Sequence, residues 1–163
     1  MTIKLLHHHD WQAWKKLRLQ ALLDAPTSFG SSYEEEVVLP DSFFQEELKK
    51  NDIFGAYVNN ELVACVGFYV LSSLKTKHRG VMWGMYTDPR YRGKGIATRL
   101  IETLISHAKS RIIQLHLKCV TNNMHAVTLY QKHGFAIYGT EPRALKIGND
   151  FFDEYLMVLN LDA

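Results

Sequence analysis

Residues 87–100 read TDPRYRGKGIATRL, and they join two segments of opposite grammar. Upstream lies GVMWGMYT, residues 80–87, rich in the apolar and aromatic residues that favour a strand. Downstream, Ile96, Leu100, Leu104 and Ala108 recur every four residues, with Ala97, Ile101 and Ile105 widening the stripe, so the segment predicts a helix with one buried face. Between the two, the chain bends at Asp88-Pro89 and passes Gly93 and Gly95. The first N–H groups of a helix have no partner within it, and glycines leave the main chain uncovered. Such a turn cradles anions. The helix macrodipole adds about half a positive charge there, and Arg92 and Lys94 add whole ones, which suits a ligand carrying phosphates. A tight turn that needs its glycines only for packing, and displays solvated cations, fits the same residues. Neither the phosphate loop ending in Gly-Lys-Ser/Thr nor the three-glycine dinucleotide fingerprint is present.

Past the helix, IIQLHLKCV at 112–120 reads as a strand buried on both faces, so the region 80–120 is a strand-helix-strand unit that should hold a parallel pair. Upstream, IKLL is a short strand, and Asp10 stands where it would cap a helix running to about Leu23 on an apolar stripe of Trp14, Leu17 and Leu22. SFGSSYEEEVVLP reads as irregular, Pro40-Asp41-Ser42 opens a shorter helix, and IFGAYV, Asn59-Asn60 and LVACVGFYVL form a hairpin. Downstream, NMHAVTLYQKHG is a helix closed by Gly134, and residues 135–161 form a last hairpin turning at Gly148-Asn149-Asp150. The order β-α-α-β-β-β-α-β-α-β-β predicts a mixed α/β sheet flanked by helices.

The 163 residues, 47% of them hydrophobic, suit one domain over 1–163. Nineteen Lys and Arg against seventeen Asp and Glu leave +2, which argues against nucleic acid as a partner and makes any anion site local. Cys65 and Cys119 lie far apart in apolar runs, as buried thiols of a reducing compartment do. No run of about 18 apolar residues occurs, and MTIKLLHHHDW lacks the apolar core of a leader, so a cytoplasmic chain without membrane contact is expected. His7-His8-His9 cannot all converge on one ion, and no metal site is expected.

Two stretches carry a family resemblance. Arg92-Gly93-Lys94-Gly95-Ile96-Ala97 matches R/Q-x-x-G-x-G/A, and Asn123, Ala126, Leu129, Tyr130, Gly134 and Phe135 match N-x-x-A-x-x-L-Y-x-x-x-G-F at the proper distance. Together they make the chain similar to the GNAT superfamily of N-acetyltransferases, and the order of elements resembles that family along nearly the whole length. The resemblance implies a central, mostly antiparallel sheet of about seven strands, with a parallel β-α-β splay at the coenzyme site and about four flanking helices. It implies acetyl-CoA as cosubstrate, with the main-chain amides of Arg92, Gly93, Lys94, Gly95, Ile96 and Ala97 on the pyrophosphate and Thr98 next in the helix. The pantetheine arm would follow Met85, Tyr86 and Thr87, and the thioester would sit where two strands part. The Met85 N–H would face the oxyanion of a tetrahedral intermediate formed by direct attack of an amine, and Tyr130 would protonate the departing sulfur. A phenol with a pKa of about 10 is suited to that task, although Tyr130 by itself also reads as an amphipathic core residue. Asn123 reads either as a cofactor contact or as a helix cap. Dimers are common among similar proteins, so a homodimer belongs to the expectation, as does a small-molecule or peptide amine as acceptor.

Many family members place a catalytic glutamate on the strand before the coenzyme loop, whereas GVMWGMYT holds no carboxylate. A base must come from elsewhere or through ordered water. Glu34-Glu35-Glu36 could hold or deprotonate a cationic amine, or simply start a solvated helix. Glu141, Asp153 and Glu154 lie on the last hairpin, where salt partners across the sheet are the alternative, and His116 shares a strand face with Gln114 and Lys118. Trp83, Tyr86 and Phe29 are candidates to line the acceptor cavity or to pack in the core. With the usual glutamate missing, a non-catalytic module that binds acetyl-CoA is the second class of function.

Overall fold

The computed structural model describes residues 1–162. Seven strands form one sheet in the order β1-β2-β3-β4-β5-β7-β6: β1 Thr2–Leu5, β2 Asp52–Val58, β3 Glu61–Val70, β4 Arg79–Thr87, β5 Gln114–Val120, β6 Ala136–Ile147 and β7 Asp150–Asn160. All neighbours run antiparallel except β4 and β5, the parallel pair expected between 80 and 120. The helices are α1 Trp11–Asp24, α2 Tyr33–Glu36, α3 Asp41–Lys50, α4 Ile96–Ala108 and α5 Met124–Lys132. The element order read from the sequence holds with one addition, the single turn α2, whose Ser32 hydroxyl accepts the Glu35 N–H inside the segment read as irregular.

Local chemistry accounts for the connections. Asn59 and Asn60 both take positive φ, 49° and 64°, as a two-residue hairpin turn requires, and Gly148 does the same at the last hairpin. Gly134, at φ 95°, ends α5 in the left-handed conformation that closes helices. On α4, Leu100, Ile101 and Leu104 are fully buried against the sheet, each worth about 1.5–3 kcal/mol of apolar transfer.

Two apolar layers result. α4 and α5 cover one face, with Leu115, Leu117, Cys119 and Met157 beneath them. α1 and α3 cover the other, over Ile53, Leu62, Cys65 and Tyr86. That second layer reaches no further than β4, and this corrects the reading of 112–120 as buried on both faces. Leu115, Leu117 and Cys119 are buried, whereas Gln114 and His116 are half-buried and Lys118 is exposed. Asp10 is also corrected. It stands before α1 but makes no capping bond to it; its carboxylate accepts the His7 N–H at 2.8 Å and Lys4 Nζ at 3.2 Å.

Among the described residues no helix is long and apolar enough to cross a membrane. Both cysteines are free and buried, and burial pushes their thiols up to about 12 at Cys65 and about 11 at Cys119. Since the thiolate is the nucleophile, iodoacetamide at pH 7.5 should leave folded protein unmodified and label two thiols per chain after denaturation in urea. Mass spectrometry reads this directly; rapid labelling of either cysteine in the folded chain would contradict it.

Candidate active site

β4 and β5 pair only at their starts, Arg79 with Gln114, Gly80 with Leu115 and Val81 with His116. Beyond that point β4 stays with β3, β5 stays with β7, and the two parallel strands part. The gap is a cleft of about 630 Å³, lined by Met82 to Thr87 on one wall and Leu117 to Val120 on the other. A β-bulge shapes the first wall: Gly84 and Met85 stand opposite the single residue Val66, with Gly84 at φ 66°. Met85 consequently has no paired residue on β3 or β5.

At one end the cleft opens onto the start of α4. Gly93 and Gly95 hold φ of 75° and 78°, strained for any side chain, and a Cβ on either would meet nothing within 4 Å. The N–H groups of residues 93–98 make no hydrogen bond within the described residues; the first bond of the helix is Arg99 N–H to Gly95 O. Six consecutive main-chain donors are thus left unpaired among the described residues at a positive helix end. Arg92, Gly93, Gly95, Ile96, Ala97 and Thr98 all line the cleft. The Lys94 side chain does not; its ammonium lies 5.3 Å from the centre of the Tyr91 ring.

A polar network pins this turn. Arg92 Nε donates to Thr87 O at 2.9 Å, and its Nη2 reaches Asp24 Oδ2 at 3.1 Å. Tyr86 donates its hydroxyl to the same Asp24 oxygen at 2.8 Å, and burial together with that bond pushes the phenol up to about 12. Gln20 links Tyr86 to Asp88, and Arg90 holds the buried Asp88 carboxyl far below the usual carboxylate range.

Tyr130 and Asn123 also line the cleft. The Tyr130 ring is buried in the core 6.0 Å from the Phe135 ring, its hydroxyl makes no hydrogen bond among the described residues, and the residue also lines the cleft, so the core reading and the site reading are compatible. Burial, with the Cys119 thiol beside it, pushes the phenol above its ordinary value. Asn123 Oδ1 accepts the Ala126 N–H at 3.2 Å and caps α5, and the residue still lines the cleft, so both readings of it are compatible.

The candidate bases are scattered. Glu34 and Glu35 are exposed and outside the cleft, with Glu35 bonded to Ser32. Glu36 is buried and clasped by Arg18, Nε to Oε1 at 3.0 Å and Nη2 to Oε2 at 2.8 Å. Burial alone would raise its carboxyl, but the bonds from Arg18 outweigh it and hold the group below the usual glutamate range. Glu141 pairs with Lys118 at 3.3 Å, Asp153 accepts the Arg143 N–H, and His116 is held by Gln114 and Arg79 away from the cleft. Glu154 does line it. So do Trp83 and Tyr86, whereas Phe29 lines a closed pocket of about 10 Å³ beside Trp83 and Arg18. Arg18 escaped the sequence reading although a signal existed: it falls in the apolar stripe of Trp14, Leu17 and Ala21, where a cation demands a buried carboxylate.

A family model described as "Acetyltransferase (GNAT) family" matches residues 11–135, which include the cradle, the strand split and Tyr130. The chain belongs to the GNAT family. The GNAT fold extends over the whole chain: an acetyltransferase of the family from Streptococcus pneumoniae superposes with a TM-score of 0.86, covering 98% of each chain at 24% identity. YncA from Salmonella typhimurium, solved with its cofactor acetyl-CoA, gives 0.81 over 100% of this chain and 95% of its own at 18% identity. Among curated relatives, a spermine/spermidine N(1)-acetyltransferase of Bacillus subtilis is 29% identical over 90 residues, 52% of this chain and 59% of that protein's length.

In this GNAT chain, the wall that carries Trp83 and Gly84 leans on the Arg18–Glu36 pair, because the Arg18 guanidinium lies 5.6 Å from the Trp83 ring centre. Glu36→Gln should cost about 3–5 kcal/mol in urea unfolding at pH 7, by leaving a buried guanidinium unpaired. Because the folded-state carboxyl is depressed, its stabilisation is complete above the ordinary glutamate range and drains as the pH falls towards the folded value. The gap between wild type and variant should therefore narrow in acid; a constant gap would contradict the pairing.

Proposed function

We propose that this chain transfers the acetyl group of acetyl-CoA to a primary amine of a small molecule or peptide by direct attack. The observation that carries the reading is continuity: six unpartnered amides at residues 93–98 open onto a strand split that ends beside the unbonded hydroxyl of Tyr130. The likeness to a structure solved with acetyl-CoA and the relation to a polyamine acetyltransferase support it. The buried free thiols fit a reducing, cytoplasmic setting.

The residues divide the work. The amides of 93–98 and the Arg92 guanidinium hold the diphosphate, for which Arg92 exchanges part of its contact with Asp24. The freed edge of β4 at Met85, Tyr86 and Thr87 bonds the amide-rich pantetheine arm in the manner of an added strand. When the amine nitrogen forms its bond to the carbonyl carbon, charge moves to the carbonyl oxygen, and the Met85 N–H in the bulge donates to it, worth about 3 kcal/mol of barrier. As the C–S bond breaks, Tyr130 gives its proton to the sulfur, and the proton that the nitrogen sheds on becoming an amide restores the phenol. Its raised pKa keeps it protonated across the neutral range, as an acid for a thiolate must be.

The test is amine-stimulated release of free thiol from acetyl-CoA across an amine panel between pH 7 and 9. Tight nucleotide binding without any stimulated release would favour a non-catalytic module instead. Gly95→Glu should abolish acetyl-CoA binding in calorimetry, because a carboxylate would enter the cradle; retained affinity would place the phosphates elsewhere. Tyr130→Phe should lower kcat about 10²-fold or more with little change in acetyl-CoA affinity, and an unchanged kcat would remove it as the acid.

A further inference from the structure

An amine that arrives as an ammonium ion must lose a proton before it can attack, and the β4 wall of the cleft carries no carboxylate. We infer that Glu154, on β7, receives the ammonium group of the acceptor in the cleft and takes its proton. This inference rests on the acetyl-transfer reading above.

Among the residues that line the cleft, Glu154 is the one carboxylate. Its place follows from the topology. β5 stays paired with β7 along its full length, and Glu154 stands opposite Val120, at the end where β5 has already left β4. Successive side chains of a strand point to opposite faces. Met157 lies in the core under α4 and α5, so Glu154, three residues away, belongs to the opposite face, where Thr27 and Ser28 also border the cleft. Tyr130, on α5, reaches the cleft from the face of α4 and α5. The proton acceptor and the proton donor therefore flank the split from opposite sides of the sheet. Direct transfer needs this arrangement: the amine comes in on one side while the sulfur leaves on the other.

The charges around Glu154 leave it available. Lys118 on β5, whose charge reaches Glu154, is engaged with Glu141 on β6, and Glu154 itself makes no hydrogen bond or ion pair within the described residues. Glu141 sits directly across from Glu154 in the β6–β7 register, so the two carboxylates repel while jointly attracting a cation. Burial raises the Glu154 carboxyl, Lys118 opposes the shift and Glu141 adds to it, which makes the group a better base than a solvated glutamate. Of the other titratable groups, the Cys119 thiol on the opposite face of β5 feels the Glu154 charge and is protonated at neutral pH, and His125 and Tyr130 of α5 line the cleft from that opposite face. The chemistry balances: the N–H electron pair stays on nitrogen, the proton moves to a carboxylate oxygen, and solvent at the cleft mouth takes it from there.

Glu154→Gln keeps the shape and removes the base. With the best acceptor of the wild-type panel, kcat/KM at pH 7 should fall about 100-fold, acetyl-CoA affinity by calorimetry should stay unchanged, and the deficit should shrink as the pH approaches the amine's own pKa. Glu154→Asp should recover part of the lost rate. In the free protein, carboxyl 13C NMR should show Glu47 and Glu154 titrating above the usual range, and one of those two signals should vanish in Glu154→Gln. If the wild type acetylates amines and Glu154→Gln keeps its rate and pH profile, the inference falls while acetyl transfer stands. If the wild type releases no thiol with any amine, both fall.

Discussion

Two neighbouring parallel strands share only three residue pairs and then separate, and the rest of this molecule is arranged around that separation. Each strand has another partner to keep. β4 remains bonded to β3, whose covering helices hold it to the α1 layer, and β5 remains bonded to β7 along seven residue pairs. The bulge at Gly84 and Met85 adds local twist at the point of parting. Main-chain groups that would otherwise complete a ladder are left without partners, and in a folded protein such groups call for a ligand or water. In the proposed reading, a substrate arm rich in amides and carbonyls satisfies them.

The start of α4 completes the site because it combines charge with absence of bulk. Its free amides supply fixed dipoles, and Gly93 and Gly95 leave the approach clear. The turn is held from below by the chain of contacts through Arg92, Asp24, Tyr86, Gln20, Asp88 and Arg90. These contacts tie the last turns of α1 to the strand that leads into the cradle. A net charge of only +2 is no obstacle, since the donors act at hydrogen-bond range.

Much of this was legible in the sequence, and the reason is locality. The four-residue recurrence from Ile96 to Ala108, the Asn59-Asn60 turn and the glycines of the cradle are short-range signals, and each sits where it was read. What escaped depended on which elements meet. The alternation in 114–120 was masked by an apolar run, because nothing in the run says that α1 and α3 stop short of β5. Asp10 has the chemistry of a helix cap, but Lys4 and the His7 N–H compete for its carboxylate. Glu36 looks like its exposed neighbours and is instead the buried partner of Arg18, eighteen residues away. Glu154 could be placed on the last hairpin but not at the cleft, since its position depends on the register of β7 against β5.

The central claim is that the amides of 93–98 and the parted edge of β4 form one continuous binding surface for acetyl-CoA. Residue-resolved 1H–15N spectra recorded during a titration with acetyl-CoA test it most directly. The account predicts the largest shifts at residues 93–98 and at Met85 to Thr87, with slowed amide exchange at both. Shifts confined to another surface, such as the outer face of α4 around Arg99 and Thr103, would contradict it.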